Sequence, residues 1–211
     1  MKRLQLLIGL IVSLMCVLTS CSKSPEQKAK ELVGTEIKKK LYFPESYDLA
    51  DLQVDSAFTP YDDPEFIGLT KELVKLDKEL FVANNDIKRV KEKMSIWSDV
   101  ESSYSRSELN GLRDELETAQ EKYDAVMSEG QKVVGKIKKR INESPKFIGF
   151  KAIVSYRAKN NNGDILMDNV FVVFDKNVEN VTYMIQGKEY ELCQKEFDVM
   201  QRGADNDSEE E

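Results

Sequence analysis

Between residues 63 and 141 two runs of apolar residues recur with a strict 3,4 spacing, and no other stretch restricts the fold as much. In the first run Phe66, Leu73, Leu80, Ile87 and Met94 occupy one seam position, and Leu69, Leu76, Ala83, Val90 and Trp97 occupy the other. In the second, Leu109, Leu116, Tyr123, Gly130 and Ile137 alternate with Leu112, Ala119, Val126 and Val133. A lone surface helix rarely sustains such a seam, so the spacing predicts an antiparallel coiled-coil hairpin. Asp63-Pro64-Glu65 caps its first helix, and Ser105 with Glu108 is expected to cap the second. The register that sets small against large levels Ala83 with Tyr123, Ile87 with Ala119 and Leu76 with Gly130; its competitor levels Ala83 with Leu116. Each arm should reach about 50 Å at 1.5 Å per residue. Two arrangements stay open, an arm that projects and a pair folded back over a sheet. Trp97 and Tyr104 fall at the tip. They either close the last seam layer or anchor a partner, the role large aromatics often play at interfaces.

The flanks read as two halves of one domain. Ser24-Pro25-Glu26-Gln27 is a capping box with proline at the first helical position, and Ala29, Leu32, Val33, Ile37 and Leu41 share one face after it. Pro44 ends that helix, and Tyr47 to Phe58 alternates as a strand whose phase slips near Ala50. After the hairpin, Ile148 to Ala158 is apolar at every second position. Residues 160–164 are a turn, Ile165 to Phe174 a central strand, and Val181 to Ile185 and Tyr190 to Cys193 two further strands. Phe197, Val199 and Met200 suggest a short last helix. The expected fold is α+β: an N-terminal helix packed on an antiparallel sheet of four or five strands, with the hairpin inserted after the first strand. Residues 21–60 and 142–200 would form this discontinuous domain, residues 61–141 the insertion, and residues 201–211 a disordered acidic tail.

Composition narrows the chemistry. The 211 residues carry a formal charge of −7, which disfavours nucleic acid, whose binding rests on basic patches. Histidine is absent, so triads and zinc sites that depend on imidazole are excluded. The remaining acid and base groups follow helix surfaces, no catalytic constellation stands out, and neither a cofactor nor a metal is implied. Cys193 has no expected partner for a disulfide and reads as a small buried hydrophobe.

Residues 1–20 have a basic start, an apolar stretch and small polar residues ahead of Cys21, the pattern of a signal peptide. Leu18-Thr19-Ser20-Cys21 resembles the lipobox of bacterial lipoproteins, which implies cleavage before Cys21 and its acylation. Ser22 in place of an aspartate resembles sorting to the outer membrane, facing the periplasm. The resemblance therefore implies a membrane partner through the lipid anchor. Pro44-Glu45-Ser46-Tyr47 after the helix, with Ala158-Lys159-Asn160 and Gly163 at the turn, is similar to small exported cystatin-like domains, including those of Bacteroidetes lipoproteins.

Lys151, Arg157 and Lys159 share one strand face, a candidate for an anion or peptide as well as an ordinary solvated surface. The expected function is a non-enzymatic envelope lipoprotein, an interaction or scaffold module whose arm meets another envelope protein. The alternative is a sheet that binds a ligand or inhibits an exported enzyme, with the hairpin as spacer. The sequence leaves the oligomeric state open.

Overall fold

The computed structural model describes residues 23–98 and 102–207. Helix α1 (Pro25–Lys38) starts as its sequence dictates: Ser24 Oγ accepts the Gln27 amide, and Gln27 Oε1 accepts the Ser24 amide, each at 3.2 Å. A single 3₁₀ turn, Pro44–Ser46, leads into β1 (Asp48–Phe58). The hairpin follows as α2 (Pro64–Ser98) and α3 (Ser103–Ile141), and the chain returns as β2 (Phe147–Lys159), β3 (Ile165–Phe174), β4 (Val181–Gln186) and α4 (Gly187–Asp207). The four strands pair antiparallel in the order β1-β2-β3-β4, a meander once the hairpin is set aside.

Two apolar layers sandwich this sheet. On one face α1 places Ala29, Val33 and Ile37 on Val154 and Tyr156 of β2 and Val172 and Phe174 of β3. The bulge anticipated near Ala50 is present, since the pairing with β2 passes from Leu49 to Asp51; it lets Leu49 join Leu52 and Val54 beneath α1. On the other face Phe171, Val173 and Ile185 meet Tyr190, Cys193 and Phe197 of α4, and α4 in turn meets Phe66 and Ile67 of the hairpin. The change of phase near Gly149 has a steric cause. At φ 151° this residue lies so close to β3 that an added Cβ would stand 2.1 Å from the Phe174 carbonyl oxygen. No side chain fits there, and the flanking Ile148 and Phe150 pack into opposite layers.

The hairpin is both core and arm. Every seam position named above is buried or half-buried. Toward the root the seam merges with the sheet's second layer through Leu76, Val126, Val133 and Ile137, and that shared cluster reaches no further than Leu80 and Val126. Beyond it Ala83, Ile87, Val90 and Leu112 are buried by the two helices of the pair. Burial of each seam Leu or Ile contributes roughly 1.5–3 kcal/mol, enough to hold a pair of this length together. The tip contact of Trp97 with Tyr104 lies nearer the register that levels Trp97 with Ser102. The root contacts of Arg140 with Asp63 and Glu65 lie nearer the register that levels Arg140 with Phe66. The contacts at the two ends therefore fall between the two sequence registers.

Three expectations are corrected. The second arm helix is capped by Ser102, not Ser105: Ser102 Oγ accepts the Ser105 amide and Ser105 Oγ accepts the Ser102 amide, each at 3.0 Å. A serine at the third helical position does here what a glutamate was expected to do one turn later. Tyr190 to Cys193 is the first turn of α4 rather than a strand. The alternation of Tyr190 with Leu192 masked a helical 3,4 spacing of Tyr190, Cys193 and Phe197, which is the buried set. That helix continues to Asp207, into the segment expected to be a disordered tail. Once the packed turns at Cys193 and Phe197 exist, each added residue gains a backbone hydrogen bond without a new nucleus.

Candidate functional site

The junction of arm and sheet is built from charges. Asp62, buried at the exit from β1, accepts the Phe58 amide at 2.8 Å and the Lys151 ammonium at 2.8 and 3.0 Å. Asp63 Oδ1 accepts the Glu65 amide at 3.0 Å and so caps α2, while its Oδ2 receives Arg140 from the last turn of α3, also at 3.0 Å. Arg140 spans on to Glu65, so one guanidinium ties the end of the second arm helix to the start of the first. These contacts orient the arm where it leaves the domain, and they use up one of the residues expected at a ligand face. Lys151 is committed to Asp62. Arg157 and Lys159 remain exposed, with no ion pair among the described residues.

Around those two lies a surface that periodicity did not reveal. α4 covers the β3 and β4 side of the sheet's second face, where Tyr190 stacks on Phe171 with ring centroids 3.8 Å apart. The β2 side and the far end of β3 stay open. There Ile153, Ile165 and Met167 stand 54%, 67% and 65% exposed, on the same face as Arg157 and Lys159. The signal was present in the sequence, since Ile165 to Met167 opens an apolar strand. Which half of the face α4 would cover was not legible, because α4 itself was read partly as a strand.

The tip is the other candidate. Trp97 is half-buried and meets Tyr104 edge to face, centroids 5.6 Å apart. Trp97 closes the seam, while Tyr104 is 62% exposed and Ile96 69%. Nearer the root, an apolar cleft of about 350 Å³ runs between α2 and α4, lined by Val74, Leu192 and Cys193 and edged by Lys71 and Glu189. Phe81 lies one heptad beyond Val74 on α2 and is 67% exposed.

Burial pushes the Cys193 thiol up, so it stays protonated and is no nucleophile at neutral pH. Burial, then the nearby Asp168 carboxylate, pushes the Tyr156 phenol up to about 12. Burial, then Asp62, does the same to Tyr190. The hydrogen bond from Lys71 to Glu189 at 2.8 Å raises the lysine, keeping it charged at the rim of the cleft. Among the described residues no cluster of acidic or cysteine side chains has the geometry of a metal site, and no helix is long and apolar enough to cross a membrane. Cys21, the expected lipidation site, lies outside the described residues. No family model, curated protein or solved structure matches this chain.

Proposed function

We propose that this chain is a non-enzymatic lipoprotein of a bacterial envelope, held by acyl chains on Cys21 at the outer membrane and facing the periplasm. It works as an interaction or scaffold module whose coiled-coil arm engages another envelope protein. The observation that carries this reading is the contrast along the hairpin. The core cluster stops at Leu80 and Val126, and at the far end Ile96 and Tyr104 stand 69% and 62% exposed on helices that need only each other to be stable. Large exposed apolar groups at the end of a rigid element are what a partner's pocket receives.

The test is a photoreactive residue at Tyr104, irradiated in cells. A discrete adduct is expected, and it should vanish when residues 84–120 are replaced by a short turn. Binding partners left unchanged by that replacement would remove the arm from the function. Cys21→Ser should move the chain from the membrane fraction to the soluble one, and membrane retention of that variant would end the lipoprotein reading.

A second reading is favoured by the open half of the sheet. Ile153, Ile165 and Met167 beside Arg157 and Lys159 suit an extended apolar segment carrying an acidic group, with the arm as spacer. Loss of a captured partner on Arg157→Glu, together with its retention after Tyr104→Ser, would select this reading over the first.

A further inference from the structure

We propose that the end of the sheet nearest the anchor is a membrane-docking face, on which Phe58 and Phe147 seat in the interface of the bilayer that holds Cys21 while the arm points away from it. The inference rests on the reading of Cys21 as an acylated residue and adds the orientation that a flexible tether leaves free.

Cys21 precedes Lys23, the first described residue, by two positions, and two residues span at most ~7 Å. Where the chain enters the domain is therefore where the acyl chains hold it. The start of α1 lies at one end of the sheet, since Ser24, Pro25 and Glu26 line a shallow groove with Val54, Ser56 and Phe150. At that same end β1 finishes and β2 begins. Phe58 pairs with Phe147 across the two strands, ring centroids 5.7 Å apart, and Phe147 meets Phe150 at the same distance. Phe58 and Phe147 are 44% and 38% exposed, two large apolar rings open to solvent on the side of the tether. The turn between β3 and β4 completes this end, held to α1 by the Lys28 ammonium, which donates to the Asn177 carbonyl at 3.1 Å.

Charge does not drive this contact. The exposed Lys23, Lys146 and Lys176 are each matched nearby by the exposed Glu26, Glu143 and Glu179, which leaves little attraction for anionic headgroups. The rings supply the gain, because apolar side chains set a few ångströms into the headgroup region leave water. The course of the hairpin agrees with such a footing. Phe66 of α2 packs on Phe197 of α4, and Lys71 bonds Glu189, so α2 runs antiparallel to α4. α4 starts beside Asn169 and brings Phe197 to Tyr61, just past the end of β1. α2 therefore sets out from the aromatic end and heads toward the opposite end of the sheet. With Phe58 and Phe147 on the bilayer, its 35 residues carry the tip about 50 Å from the surface at 1.5 Å per residue. Tyr104 then meets its partner well outside the membrane.

The test uses the lipidated chain reconstituted in phosphatidylcholine and phosphatidylethanolamine vesicles whose acyl chains carry bromine, a contact quencher of indole fluorescence. Phe147→Trp and Phe58→Trp, each combined with Trp97→Phe, are two independent reporters, and unchanged helical circular dichroism shows that a reporter keeps the fold. Each should be quenched roughly twofold or more relative to vesicles without bromine, equally in low and high salt, as rings within the interface require. Trp97 of the parent chain should keep its full emission. A chain that floats with the vesicles while both reporters stay unquenched overturns the docking face and leaves the lipid anchor standing. Quenching of Trp97 to the same degree as the reporters also overturns it, since the molecule then lies flat. A chain recovered without acyl chains, or one that does not float, removes the anchor reading and this inference with it.

Discussion

Asp62 is the residue on which the junction of arm and sheet depends. Its carboxylate is buried and holds both an amide of β1 and the ammonium of Lys151 on the neighbouring strand. Asp62→Ala would leave a donor and a charge without their acceptor, at a cost of about 2–4 kcal/mol. Urea denaturation should show the loss, and Asp62→Asn, which still accepts the amide, should cost less. Burial makes two tyrosines markers of a different kind. The Tyr190 phenol titrates at about 12 in the folded chain against 10.0 unfolded, so the folded state disfavours its ionisation. Its contribution is complete below pH 10 and is lost as pH rises from 10 toward 12. Stability measured at pH 8 and pH 11 should therefore fall less in Tyr190→Phe, which keeps the stack on Phe171, than in the parent chain. Asp175 has the opposite sign. Backbone amides of Glu179 and Asn177 and the side chain of Asn180 hold its carboxylate, and its affinity for a proton falls below the ordinary value of 3.8. What it contributes is present above that value and is lost as pH falls through its own lower midpoint, which a carboxyl NMR titration reads directly.

Among the elements, the two arm helices were legible because their seam repeats, and their burial follows the repeat position by position. The turn between β2 and β3 was equally plain: Asn160 Oδ1 accepts the amides of Asn162 and Asp164, and Gly163 takes a φ of 89°. α4 was not legible at its start, because four residues carry too few periods to separate alternation from a helical face, and only the packing of Cys193 and Phe197 decided the case. The cap of α3 went astray for a related reason: Ser102 and Ser105 both look like cap residues, and the reciprocal bonds show which one is. Ser102→Ala should cost about 1 kcal/mol and speed amide exchange in the first turn of α3. Ile87→Ala, in the part of the seam that only the pair covers, should cost about 2–5 kcal/mol locally. Hydrogen exchange would locate it, with residues 84–98 and 103–120 opening before the strands.

The whole molecule is a sheet covered on one face by α1 and half covered on the other by α4 and the hairpin root, with the rest of the hairpin standing beyond. Replacing residues 84–120 by a short turn should leave the sheet and both of its apolar layers intact, since the shared cluster reaches only Leu80 and Val126. A cooperative melt with native-like amide spectra of β2 and β3 would show it; collapse of those spectra would mean that the distal arm is needed for folding. The sequence by itself determined what repeats or is local: the heptad seam, the caps at Ser24 and Asp63, the bulge at Ala50, the turn at Asn160, and so the α+β class with its inserted hairpin. Such features rest on contacts between near neighbours, and their cause is written in a few consecutive residues. Only the tertiary structure decided which half of the sheet α4 covers, that Lys151 belongs to Asp62 rather than to a ligand face, and where the hairpin ceases to be core and becomes arm. Those outcomes depend on surfaces brought together from distant parts of the chain, where the competition for burial is settled by shape and area that no local pattern records.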